Sequence, residues 1–146
     1  MSSAETTQKE LRGIGGWLIG IAIGMPFSII ATLFGDYYVF TSFIPMMDEE
    51  IASIITILLV TDMIFLCYLG YLTFLFFNKD YRFPEQIKIF YIVAIGYEVF
   101  ALYMISGLGL EVADYRELFR CIISAAIWIP YFNKSIRVKN TFIENN

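Results

Sequence analysis

Residues 51–77 form an apolar run of 27 residues that carries one charged side chain, Asp62. As an α-helix this run is about 40 Å long, because each residue adds about 1.5 Å along the helix axis. The hydrocarbon core of a bilayer is roughly 30 Å thick. Such a run either crosses a membrane or is enclosed by other apolar helices. Charged residues make up 16% of the chain, against about 25% in soluble domains, and this low share favours the membrane.

Other apolar runs accompany this one along the chain. They predict an all-α, polytopic membrane protein with a single four-helix transmembrane domain over residues 1–146, with spans at about residues 14–34, 51–77, 87–110 and 115–132. The fourth span is the shortest, and it draws Arg120 into the outer part of the membrane. Short polar tails are expected at residues 1–13 and 133–146.

The basic residues in the loops, in the tails and toward the span ends predict the orientation of the chain. One side of the membrane has Arg116 and Arg120, whereas the other side has Lys9, Arg12, Lys79, Arg82, Lys88, Lys134, Arg137 and Lys139. Cytoplasmic loops carry an excess of lysine and arginine. Both termini are therefore expected in the cytoplasm.

A row of small residues, which we call the glycine strip, runs along the first predicted span. Gly16, Gly20 and Gly24 are spaced by four residues, and Ser28 and Thr32 continue the same helix face. Such a strip lets two helix backbones approach closely in a membrane. It predicts either packing within the same four-helix bundle or a contact face for a second protein.

Three charged side chains lie inside the predicted spans and more than three residues from a span end, namely Asp62, Glu98 and Arg120. A charge at the bilayer centre costs at least about 2.5–3.5 kcal/mol on insertion scales, so such residues face the protein interior or water. Asp62 and Glu98 each lie eleven positions into antiparallel spans, which places both near the midplane. They are candidates for an intramembrane proton or ion site, and the alternative is structural pairing. Arg120 is the available counter-charge, although extending its side chain outward to the membrane interface, or pairing with Glu117, costs it less.

The sequence offers little for catalysis. The chain has no histidine, and it lacks a phosphate-binding loop, a nucleophile elbow and a C-x-x-C pair. No basic patch interleaved with aromatic residues indicates nucleic-acid binding. We expect no catalytic residue, no metal site and no cofactor, and we expect the protein not to be an enzyme.

Two stretches carry a family resemblance, LRGIGGWLIG at residues 11–20 and WIPYFNKSIRVKNTF at residues 128–142. They resemble the DUF2569 family of small bacterial membrane proteins of unknown function. The shared positions are Gly15, Gly16, Trp17, Trp128, Pro130, Tyr131, Phe132, Ser135, Arg137, Val138, Lys139, Thr141 and Phe142. Ile136 departs from the pattern, where a basic residue is expected. The resemblance implies a four-span protein of the bacterial inner (cytoplasmic) membrane and brings no activity with it.

Two functions remain open on this reading. The first is a non-enzymatic interaction or accessory protein, of which a toxin-immunity protein is one kind. It would bind a membrane-protein partner, or a second copy of itself, through the glycine strip or through the first loop, residues 35–50. The second is a small oligomeric proton- or cation-coupled carrier or channel that uses Asp62 and Glu98. Both functions place the chain in the lipid bilayer.

Overall fold

The computed structural model describes residues 13–107 and 115–143, and every regular element in these two ranges is helical. The four long helices are α1 (Trp17–Tyr38), α2 (Glu49–Phe77), α3 (Phe83–Gly107) and α4 (Arg116–Lys134). A short helical turn, α5 (Ile136–Val138), and a wider turn (Lys139–Ile143) follow. The predicted all-α class is thereby confirmed for these ranges. Most of the N-terminal tail, the expected end of the third span at 108–110 and the last three residues lie outside them.

The first helix extends beyond the predicted end of its span at residue 34. After Tyr38 the chain continues through a wide turn (Val39–Phe43) and a tight turn (Ile44–Met46), so helical backbone runs from Trp17 to Met46. Gly35, the first residue after the predicted span, lies inside α1. A single glycine costs an α-helix only about 1 kcal/mol, and the helical backbone changes to its tight final turn near Pro45.

Three helical segments are long and apolar enough to cross a membrane, namely Trp17–Met46, Glu49–Phe77 and Phe83–Gly107. The chain is therefore a membrane protein by the length and composition of its helices. The fourth helix is not among these segments, because charged side chains at Arg116, Glu117 and Arg120 make its first turns polar. With 19 residues, α4 is about 28 Å long.

Successive helices run antiparallel. The ring of Phe65 in α2 lies 5.9 Å from that of Phe90 in α3, and the Tyr97 hydroxyl donates to the Leu58 carbonyl at 3.1 Å. The contacting residue numbers fall along α2 as they rise along α3, so these two helices run in opposite directions. Helices α1 and α2, α2 and α3, and α3 and α4 pack against one another. Within the described ranges α1 and α4 do not pack along their lengths, which leaves them as the two edges of the array.

The hydrophobic core lies at one end of the helices, which we call the closed end. It comprises the start of α1, the end of α2, the start of α3 and the end of α4. Phe83 is central to it, with ring centroids 5.1 Å from Phe76, 5.7 Å from Phe132 and 5.2 Å from Phe142. Because Phe142 follows α4, the C-terminal segment itself completes this core.

The link between α2 and α3 is held by one acidic side chain. Asp80 accepts hydrogen bonds from the backbone N–H of Arg82 at 2.9 Å and from its Nε and Nη2 atoms at 3.0 and 2.8 Å. These charge-assisted bonds stabilise the ionised carboxylate and lower the pKa of Asp80 from 3.8 to about 2. Because the folded-state pKa lies below the unfolded one, the stabilisation is present above about pH 4 and is lost as the pH falls through about 2.

We predict that Arg82→Gln returns the pKa of Asp80 toward 3.8 from about 2, since it removes the guanidinium that bonds the carboxylate. Carboxyl carbon NMR of the protein in detergent micelles, titrated from pH 6 to pH 1.5, measures this shift. Lys79→Gln is the matched control, because it removes a neighbouring positive charge and leaves the guanidinium in place. A wild-type midpoint near pH 4 would contradict the pairing.

Candidate functional site

The two halves of the family motif meet at the closed end, although they lie at opposite ends of the chain. The Gly13 N–H donates to the Thr141 hydroxyl oxygen at 3.1 Å, and that hydroxyl donates to the Gly13 carbonyl at 3.3 Å. The indole rings of Trp17 and Trp128 meet edge to face, with centroids 6.2 Å apart. The motif therefore joins the N-terminal edge of α1 to the segment that follows α4.

Gly15 and Gly16 of the motif each need to be glycine, but for different physical reasons. Gly16 precedes α1 with φ +57° and ψ −132°, a backbone conformation that is essentially restricted to glycine and costs other residues about 1–3 kcal/mol. A Cβ atom at Gly15 would collide with the Arg137 guanidinium. Gly15 therefore permits the close approach of Arg137, and Gly16 permits the turn into the helix.

The C-terminal half of the motif turns the chain back under the helices. Pro130 and Tyr131 lie in the last turns of α4, and the Ser135 hydroxyl then accepts a hydrogen bond from the Val138 N–H at 3.4 Å. Val138 and Phe142 are buried beyond that cap. The motif thus closes one end of the protein, and its residues form no reactive constellation.

The other site candidates line a cavity of about 440 Å³ between the helices. We call it the central cavity. Helix α1 contributes one wall, α2 and α3 form the back, and α4 forms the opposite wall. The predicted candidates on its lining are Gly20, Gly24, Ser28, Asp62, Glu98 and Arg120. Spans predicted separately from the sequence therefore bring both carboxylates, the arginine and most of the glycine strip to one place.

The glycine strip faces this cavity. No atom of the described residues beyond the local helix lies within 4 Å of a Cβ atom built at Gly20 or Gly24. Gly16 belongs to the turn before α1, where such an atom would lie 3.9 Å from Arg137. The strip is accordingly not covered by another described helix, and its role as a contact face for a second protein stays a prediction.

The two intramembrane carboxylates lie at the back of the cavity. Asp62 and Glu98 are close enough to interact electrostatically, and both fall near the middle of their helices. The Tyr97 hydroxyl, which donates to the Leu58 carbonyl, also lies within reach of the Asp62 carboxylate. Tyr97 therefore connects α3 to α2 beside both acidic groups.

Arg120 is on the cavity wall but is already paired. Its guanidinium forms an ion pair with Glu117, one turn earlier on α4, as the sequence suggested. It also acts electrostatically on Glu98. Because Glu117 balances its charge, Arg120 does not neutralise the carboxylates at the back of the cavity.

Asp36 is a site residue that the sequence analysis missed. It lies near the end of α1 and lines a second cavity of about 420 Å³ between α1 and α2. Its Oδ2 atom is buried and has no hydrogen-bond partner among the described residues, and its carboxylate interacts electrostatically with Asp62. The signal was available, because no strong helix breaker separates Asp36 from the preceding span.

Metal-binding geometry was also considered for the acidic residues. In residues 13–107 and 115–143, no group of three histidine, cysteine, aspartate or glutamate side chains is arranged to hold a metal ion. Asp62 and Glu98 of the central cavity interact electrostatically as a pair.

We predict that alanine at Gly16 and alanine at Gly20 change the stability of the protein differently. Gly16→Ala should lower the free energy of unfolding by about 1–3 kcal/mol, because alanine is strained in this positive-φ conformation. Gly20→Ala should leave it unchanged or raise it by up to about 1 kcal/mol, because alanine favours a helix and meets open space. Unfolding by sodium dodecyl sulfate in mixed micelles compares the two variants. Equal losses at both positions would contradict this explanation of the motif.

Comparison with known proteins agrees with the motif. The model of the DUF2569 family, described as a protein of unknown function, matches residues 11–143. No curated protein and no solved structure matches the chain. The matched range includes both halves of the motif and all four long helices, and the chain therefore belongs to the DUF2569 family.

Proposed function

We propose that this protein crosses the bacterial cytoplasmic membrane four times, with both termini in the cytoplasm. We further propose that it is a non-enzymatic interaction protein that binds another molecule from within the membrane. We call this bound molecule the guest. One observation carries the second proposal, namely the uncovered wall of Gly20 and Gly24 on a cavity of about 440 Å³. The guest reaches that wall through the gap between α1 and α4.

The packing of α4 against α3 supports a fourth span. The Lys88 amino group donates to the Asn133 side chain at 3.0 Å near the closed end, and Arg120 acts on Glu98 toward the other end. Helix α4 therefore follows α3 over most of its length. Its charges lie near its two ends, at Arg116–Arg120 and at Lys134, where a membrane interface would accommodate them.

We predict that alkaline phosphatase is active when fused after residue 111 and inactive when fused after residue 146. Alkaline phosphatase becomes active only outside the cytoplasm. Four spans put the loop between the third and fourth spans outside and the C-terminus inside. A green fluorescent protein fusion at the same two positions is the matched control and should give the reverse pattern. Phosphatase activity at residue 146 would show that α4 does not cross.

The carrier is the second candidate, and it is favoured by the presence of Asp62 and Glu98 on one cavity. A carrier also needs a path that opens at both ends of the protein. The closed end is filled by packed aromatic rings, including Phe76, Phe83 and Phe142. Binding requires only the existing gap, and we therefore place binding ahead of transport.

We predict that a small photoreactive diazirine side chain at Ser28 forms one discrete adduct in native membranes. Ser28 lines the central cavity, so its neighbour is the specific guest. The same side chain at Ile23, which is 67% exposed on α1, should give only a spread of lipid adducts. Intact-protein mass spectrometry measures both products.

Adding Gly20→Leu to the Ser28 variant should abolish the discrete adduct, because leucine occupies the space that the glycine leaves open. The leucine side chain meets no described atom within 4 Å at its Cβ, so folding is expected to be preserved. The same spread of lipid adducts at positions 28 and 23 would overturn the proposed function.

A further inference from the structure

We infer that the central cavity binds an organic cation with an apolar body, and that its charged group lies beside Asp62 and Glu98. This inference deepens the proposed function and rests on it, because it names the chemistry of the guest. Four features of the cavity carry it: its volume, its charge, its aromatic lining and its opening.

The volume of the cavity suits a small molecule. Ligand pockets typically measure about 300–1,000 Å³, and the central cavity measures about 440 Å³.

Two acidic side chains from neighbouring helices line the cavity. Helix α2 contributes Asp62 and α3 contributes Glu98, whereas α1 contributes the hydroxyls of Ser28 and Thr32. On α4, Arg120 is paired with Glu117. Carboxylates near the bilayer midplane are costly without a counter-charge. A bound cation supplies that counter-charge, and an anion would meet two acidic groups.

The aromatic lining suits an organic cation more than a metal ion. Phe65 and Tyr97 have ring centroids 5.0 Å apart beside Asp62, and Phe65 also contacts Phe90 at 5.9 Å. Faces of such rings attract cations and bury apolar groups at the same time. The described residues hold no three-ligand group for a metal ion, so the charge is expected on an organic molecule.

The opening of the cavity determines how the guest enters. The closed end is filled by the aromatic core, and Trp128 contributes both to the packing there and to the cavity lining. In the described part of the chain, helices α1 and α4 do not pack along their lengths, and Gly20 and Gly24 place no side chain on the α1 wall of the cavity. An apolar cation dissolved in the bilayer can therefore reach the carboxylates without passing through water.

The test uses two ions of nearly identical shape and opposite charge, tetraphenylphosphonium and tetraphenylborate. Titration calorimetry on the purified full-length protein in uncharged detergent should give one phosphonium site per chain. Tetraphenylborate should bind at least tenfold more weakly. Equal binding of the two ions, or stronger binding of the borate, would overturn the inference.

Variants assign the binding to the cavity. Asp62→Asn and Glu98→Gln should each weaken phosphonium binding at least tenfold, whereas Glu85→Gln, an acidic residue near the start of α3, should leave it unchanged. Each single variant is accepted only with wild-type circular dichroism. If one fails to fold, the other and the cavity-filling Gly20→Leu still decide the matter. Unchanged binding in the folded cavity variants would overturn the inference.

The photoreactive Ser28 variant separates this inference from the proposed function. Tetraphenylphosphonium should compete with the discrete adduct at position 28. A discrete adduct with no phosphonium binding would overturn the inference and leave the proposed function standing. A polypeptide adduct that phosphonium does not displace would also overturn it, because the guest would then be a partner helix. Absence of both adduct and phosphonium binding would overturn both proposals.

Discussion

The fold depends on the attachment of the C-terminal segment to the beginning of the first helix. Two hydrogen bonds join Gly13 and Thr141, the rings of Trp17 and Trp128 touch, and Phe142 completes the core. Without this attachment α1 and α4 would share no extensive contact, because the other helix pairs follow the order of the chain. The family motif is thus explained by closure of one end, with glycines where backbone and guanidinium approach closely.

The core lies at one end of the helices, and the cavity lies farther along them. The buried residues concentrate near Phe83, whereas the stretch of the helices near Asp62 and Glu98 encloses a cavity. Dense packing and an open, charged interior are therefore separated along the helix axes. This separation lets the protein keep costly ionisable groups in its middle, since the stability of the fold rests on the aromatic core. The cavity, and not the motif, is therefore the candidate functional site.

Several features of the site followed from the sequence. The low share of charged residues and the length of the apolar runs predicted membrane helices, and depth counting placed Asp62 and Glu98 at a similar level. Pairing with Glu117 was one of the two arrangements expected for Arg120, and the two side chains form an ion pair. Asp36 was missed because the predicted span ends at residue 34, whereas α1 continues to Tyr38. Helix ends depend on capping and on contacts with neighbouring helices, which local composition describes poorly.

By itself, the sequence determined the helical class, the membrane environment and the family, because hydrophobic length and the motif are local properties of the chain. The tertiary structure decided what the glycine strip faces. Spacing alone allowed Gly20 and Gly24 to pack against a helix or to remain open, since both arrangements need the same small residues. Only the distance between α1 and α4, held together at Trp17 and Trp128 and apart beyond them, leaves the strip as the wall of a cavity.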